Sequence, residues 1–141
     1  MILLDTSGLL AALDSSQREH AQAAGALRDA RGPLVLSPFV LAELDYLLAT
    51  RVGPQAALAL LAEVARGAYR LESFDAADIA AAHDVIERYG NLDVGLADAS
   101  LVVLAHRHET YDVLTLDQRH FRTLRGPADK PFRIIPADRQ R

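Results

Sequence analysis

The chain has 141 residues, half of them hydrophobic and 24% charged, a composition that builds a globular domain with a real core and excludes a disordered segment. It contains no cysteine, which excludes disulfides, thiolate metal sites and thiol nucleophiles; a formal net charge of −4 excludes a protein that grips nucleic acid through an overall positive field. The first apolar run is only three residues long before Asp5, and none approaches the ~18–20 residues that cross a bilayer, so the chain reads as a cytoplasmic protein without signal peptide or membrane span.

In chain order, Ile2–Leu4 reads as a short strand and Thr6–Leu13 as a helix entered through Asp5. Residues 16–19, SQRE, have the spacing of a capping box and predict a helix that ends before Gly32-Pro33. Leu34–Leu36 is a second apolar strand, and Ser37-Pro38 supplies an N-cap and an N1 proline for the helix carrying FVLAELDYLLATR. Gly53-Pro54 breaks that helix and starts another, which runs to Gly67. A third strand is predicted over residues 69–73. Asp75 caps a helix with Ile79, Ala82, Ile86 and Tyr89 on one face, stopped by Gly90. Residues 96–106 form a nearly all-apolar helix, which belongs in an interior. Strands follow over 112–116 and 132–135. With no internal repeat or linker, a single domain over residues 1–141 is expected.

Strands alternating with helices predict an α/β fold: a parallel sheet of about five strands with helices on both faces. In such a sheet the carboxyl ends of the strands share one edge, where ligands bind. The runs ILLD and VLTLD each deliver an aspartate, Asp5 and Asp117, to that edge. Asp98 shares a face with Leu101, Val102 and Ala105, so it points inward from the first turn of the buried helix. A negative charge is favoured there by the helix dipole. Taken singly, each aspartate could be a helix cap; three of them at the ends of apolar elements point to a site. On the helix after Pro38, Glu43 and Asp45 flank the apolar stripe on opposite sides, and the helical wheel does not choose between them.

Convergence of these carboxylates would be unfavourable without a counter-charge, because two like charges ~4 Å apart repel by about 4 kcal/mol at an effective dielectric of 20. A hard divalent cation removes the conflict, and oxygen ligation suits Mg²⁺ or Mn²⁺. Such an ion acidifies a water and stabilises charge at phosphorus, so phosphodiester hydrolysis is the chemistry that fits. Two other templates fail. The glycine of DTSG falls one residue late for an aspartic protease, and the position two after Asp5 is Ser7, not the second aspartate of an aspartyl-phosphate phosphatase.

With Asp5, Glu43, Asp98 and Asp117 in place, the chain resembles the PIN-domain ribonucleases, and among them the VapC toxins of bacterial toxin–antitoxin pairs. The matching pieces are ILLDTSGLLA, SPFVLAELDYLL, GLADASLVVLAHR and VLTLDQRHF, with the RIIP tail. The resemblance implies a PIN-like three-layer α/β/α fold and a metal-dependent endoribonuclease that cuts ribosomal or transfer RNA. Asp5 and Asp98 would bind Mg²⁺ most directly, with Asp117 and Glu43 completing the pocket, so the resemblance selects Glu43 over Asp45. It also implies a homodimer, a VapB-like antitoxin, and a heterotetramer or larger assembly between them. The competing reading is a non-catalytic PIN-like module that binds a protein through an acidic groove.

Weaker signals surround this set. Asp93 is an extra acid near the pocket, and Thr6, Ser7 and Thr115 are candidates to hydrogen-bond the carboxylates, with ordinary capping or turn chemistry the equal alternative. Arg119 and Arg122 are candidate contacts to the RNA backbone, in a segment (106–141) that holds eight basic residues against five acids. For His106, His108 and His120 a general-acid role is the functional alternative, but they are most simply helix-end or surface histidines, and His83 a core-edge residue. The helix PQAALALLAEVA is apolar on more than one side and suits a helix–helix surface.

Overall fold

A computed structural model describes residues 1–139. Five strands form one parallel sheet in the order β3-β2-β1-β4-β5: β1 (Ile2–Leu4), β2 (Leu34–Leu36), β3 (Arg70–Leu71), β4 (Asp112–Leu114) and β5 (Arg133–Ile135). The strands are short because each has little more to do than cross the core. Leu3, Leu4, Val35, Leu36, Val113, Leu114 and Ile134 are all fully buried, as expected for strands covered on both faces. The chain winds outward from β1 through β2 to β3, then returns to place β4 on the other side of β1. The strand order therefore reverses between β1 and β4, the position where open α/β sheets leave a crevice at their carboxyl edge.

The helices are α1 (Thr6–Leu13), α2 (His20–Asp29), α3 (Pro38–Arg51), α4 (Pro54–Ala65), α5 (Ala76–Arg88), α6 (Leu96–His108) and the single turn α7 (Gln118–Phe121). They cover both faces of the sheet, giving the α/β/α layering expected from the sequence. Neighbouring helices pack as α1 with α2, α3 with α4, and α5 with α6. Local chemistry explains most boundaries. Ser37 Oγ accepts from the Phe39 amide at 3.1 Å and Pro38 opens α3. Asp75 and Asp78 form a reciprocal capping box on α5, satisfying amides that the first turn leaves unpaired.

Three sequence-based expectations are corrected. The SQRE capping box does not form. Asp14 precedes it and takes the Ser16 amide and hydroxyl and the Gln17 side chain (3.0, 2.7 and 3.2 Å), so α2 starts later, at His20. The third strand contracts from 69–73 to Arg70–Leu71 at the sheet edge. His83 is not at the core edge: α5 buries Ala82, and the next position turns outward, where His83 meets Asp84 and Glu87 in solvent.

Two contacts set the geometry of the crevice. Gly8 lies so close to β4 that a Cβ there would stand 2.4 Å from the Leu114 carbonyl oxygen; only glycine lets α1 approach the strand backbone this closely. Ser37 and Ser100 meet at 2.7 Å in the core, tying the start of α3 to α6. Ser100 gives its single proton to the Ala97 carbonyl, so Ser37 donates to Ser100.

Candidate active site

Four acids line one pocket at the β1/β4 edge: Asp5, Glu43, Asp98 and Asp117, together with Thr6, Ser7, Leu10, Leu47 and Arg51. Each comes from a different element. Asp5 ends β1, Glu43 lies in the second turn of α3, Asp98 in the first turn of α6, and Asp117 follows β4 as the N-cap of α7. Asp45, which the helical wheel left open, does not line the pocket.

Asp5 is the most deeply held, at 4% exposure. Its Oδ2 accepts from Ser7 Oγ at 2.9 Å and from Thr115 Oγ1 at 2.6 Å. The same two hydroxyls accept backbone amides in turn, Ser7 from Leu116 at 3.0 Å and Thr115 from Asp117 at 2.9 Å. A carboxylate at the end of β1 is thus locked to the loop leaving β4, and the loop to it. Burial, with the neighbouring Asp98 charge, pushes the Asp5 carboxyl up to about 6, against the opposing pull of Thr115, Ser7 and the Thr6 amide. Asp98 is also pushed above the usual carboxylate range, first by burial and then by Asp117 and Glu43, while His120 works the other way.

His120 is the residue that sequence reasoning placed wrongly. Its Nδ1 stands 2.8 Å from Asp98 Oδ2 and 3.0 Å from Asp117 Oδ2. Its backbone amide donates to Asp117 Oδ1 at 3.0 Å. Asp117 is therefore a helix cap and a pocket acid at once, one oxygen for each task. The signal available was the spacing in DQRH: a residue three after an N-cap returns over it. Arg51 was missed as well. Glu43, Leu47 and Arg51 follow one ridge of α3 at intervals of four, so choosing Glu43 commits the other two to the same side.

Other predicted positions divide. Thr6, 6% exposed, lines the pocket, and its Oγ1 has no protein hydrogen-bond partner. Asp93 is exposed in the turn before α6 with φ +56° and does not line the pocket. Arg119 is exposed on α7. Arg122 is occupied: its guanidinium grips Asp138 with both nitrogens, at 2.7 and 2.8 Å, which gives it an anchoring task for the C-terminal segment.

The donor set suits a hard divalent ion. Asp98, Asp117 and His120 offer ligand atoms within 4.8 Å of one another, Asp5 is close enough to Asp98 for their charges to interact, and Thr6, whose buried hydroxyl has no protein partner, lines the same pocket.

A model of the PIN domain matches residues 2–126, almost the whole of the segment that carries this pocket. The chain belongs to the PIN-domain family. Within it the chain falls on the VapC branch: it is 45% identical to "Ribonuclease VapC26" of Mycobacterium tuberculosis over 96% of its length and all of that protein's. Solved structures share the PIN fold. VapC20 of M. tuberculosis, described as a Sarcin-Ricin loop cleaving toxin, superposes with a TM-score of 0.78 at 23% identity, covering 83% of this chain and 90% of its own. VapBC2 of Rickettsia felis, solved on a DNA fragment from its promoter, gives 0.64 at 17% identity over 95% and 98%. FitAcB of Neisseria gonorrhoeae gives 0.58 at 23% identity over 86% and 91%.

Proposed function

We propose that this PIN-domain protein is a metal-dependent endoribonuclease, the toxin of a VapBC-type pair, and that the pocket of Asp5, Glu43, Asp98 and Asp117 is its active site. The observation that carries the reading is the meeting of four carboxylates from four elements in one pocket at the strand-order reversal. Like charges gathered in a half-buried site are costly, and among the described residues His120, beside the pocket, is the one basic side chain that bonds to them. The 45% identity with a ribonuclease over 96% of the chain supports the same chemistry.

In this reading Asp5, Asp98 and Asp117 hold Mg²⁺, with Mn²⁺ able to substitute, and Glu43 completes the acidic wall. The ion, when bound, supplies an acidified water and stabilises charge developing on the phosphate. The chain's own residues do the positioning. Ser7 and Thr115 fix the Asp5 carboxylate by both donating to its Oδ2. Arg51 sits at the pocket wall as a charge partner for the scissile phosphate, and Arg119 on the exposed side of α7 meets the RNA backbone. Arg122 leaves this set because Asp138 holds it. Cleavage would leave 5′-phosphate and 3′-hydroxyl ends.

The substrates assigned are ribosomal or transfer RNA, whose cleavage arrests translation and growth. The partner is a VapB-like antitoxin on a homodimeric toxin, in a heterotetramer or larger complex. VapBC and FitA–FitB assemblies among the fold neighbours support that partner, as do Leu58 and Leu61, which stand exposed on α4. No helix of the described residues is long and apolar enough to cross a membrane, consistent with action on cytoplasmic RNA.

The test is cleavage of total RNA by the purified, antitoxin-free chain with Mg²⁺, beside Asp5→Asn and Asp98→Asn. Both variants should stay folded and lose cleavage. Full activity in either would overturn the assignment and favour a non-catalytic acidic groove.

A further inference from the structure

The pocket lining is a set of four acids, yet the group of ligand atoms that lie within 4.8 Å of one another includes a histidine. We propose that His120 supplies a ring nitrogen to the ion held by Asp98 and Asp117, making this an imidazole–carboxylate centre that selects Mn²⁺ over Mg²⁺. The inference rests on the nuclease reading of the site and adds a ligand and a metal preference to it.

Three observations carry it. First, the spacings are those of donors sharing an ion. Octahedral coordination with bonds of ~2.1 Å places adjacent donors ~3.0 Å apart, and His120 Nδ1 lies 2.8 Å from Asp98 Oδ2 and 3.0 Å from Asp117 Oδ2. Second, the ring is held in place before any ion arrives. The His120 amide bonds to Asp117 Oδ1 at 3.0 Å, and the next residue, Phe121, is fully buried edge-on against Phe132 with ring centroids 5.7 Å apart. Third, the pocket holds a polar group that the chain leaves unsatisfied. Thr6 Oγ1 is buried without a protein partner, a cost that a fold tolerates where a ligand or its water completes the bonding.

The metal preference follows from the donor. Mg²⁺ gives up water reluctantly and takes oxygen ligands, whereas imidazole favours first-row transition ions. A single nitrogen among carboxylates therefore widens the gap between Mn²⁺ and Mg²⁺. If the ring merely bridged the two carboxylates and were pushed aside by an ion, its removal would tighten Mn²⁺ binding.

The experiment is titration calorimetry of the full chain with MnCl₂ and with MgCl₂, for wild type, His120→Ala and Asp98→Asn, with pulsed EPR of the Mn²⁺-loaded wild type. The expected result is a ¹⁴N coupling to Mn²⁺ and a loss of Mn²⁺ affinity in His120→Ala of at least the roughly 10–100-fold that even an outer partner costs, with Mg²⁺ affinity nearly unchanged. Absence of the ¹⁴N coupling, or equal or tighter Mn²⁺ binding by His120→Ala, overturns the proposal while leaving the nuclease reading standing so long as Asp98→Asn abolishes binding. Mn²⁺ binding that ignores Asp98→Asn overturns both. The EPR signal comes from the wild type, so a poorly folded variant does not rescue the idea.

Discussion

Thr115 Oγ1 donates to Asp5 Oδ2 at 2.6 Å, joining the loop after β4 to the end of β1 across almost the full length of the chain. The same hydroxyl accepts the Asp117 amide, so one side chain orients two of the four pocket acids. Thr115→Val keeps the shape and removes both bonds. It should cost about 2–3 kcal/mol of stability, since hydrogen bonds to charged groups are worth roughly 1.5–3 kcal/mol. RNA cleavage should fall more steeply than stability. Urea denaturation and a cleavage assay on the same preparation check the two effects; unchanged stability would remove Thr115 from the network.

The raised Asp5 carboxyl makes a pH prediction with a definite sign. Its folded value of about 6 lies above the ordinary 3.8, so between those values the folded state binds more protons than the unfolded one. The contribution is fully present below pH 4 and is lost as pH rises through 6. Across that window the metal-free protein should lose about 3 kcal/mol from this group. Asp5→Asn removes the dependence, so without metal it should match wild type near pH 4 and exceed it in stability near pH 7.5. Denaturant midpoints of both proteins in chelator at the two pH values test this. A wild-type excess at pH 7.5 would be incompatible with a destabilised buried carboxylate.

Gly8→Ala should damage the site through the backbone. The added methyl would meet the Leu114 carbonyl at 2.4 Å and the Thr115 amide nitrogen at 2.8 Å, which forces α1 away from β4. The strain should cost about 1–3 kcal/mol, and Ser7 moves with the helix. Thermal melts should show the loss, and cleavage should drop with metal affinity because Asp5 loses its Ser7 donor.

Arg119 and Arg122, three positions apart on the same turn, should behave differently. Arg119→Ala should leave the melting temperature alone, weaken RNA binding and lower the salt slope by about 1. Arg122→Ala breaks the double contact to Asp138, a side chain that also accepts the Ile134 amide at 2.9 Å. It should cost about 1–3 kcal/mol with little change in the salt dependence of binding. Filter binding over a salt series, with melts of each variant, separates the two.

The sheet and the acids were legible because apolar runs stop on aspartates, a pattern that survives any detail of packing. Asp5 and Asp117 could be found that way, and Asp98 from the apolar face it shares in the first turn of α6. Glu43 could not be separated from Asp45 by the wheel, since both flank the same stripe and the packing of α3 on α1, α4 and α6 decides which side meets the pocket. His120 was hidden because α7 is a single turn with no periodicity to read. The failed SQRE capping box shows the converse: a correct local spacing loses when a nearer carboxylate, Asp14, claims the same donors. The pairing of Arg122 with Asp138 was not legible, because a charge is visible in a sequence and its partner is not.

The placement of β4 beside β1 also times the appearance of the site during synthesis. A nascent chain still short of Asp112 has made three of its strands and two of its pocket acids' helices, but has neither Thr115 nor Asp117 to set beside Asp5. A growing polypeptide therefore cannot close the four-acid pocket until its last fifth has emerged.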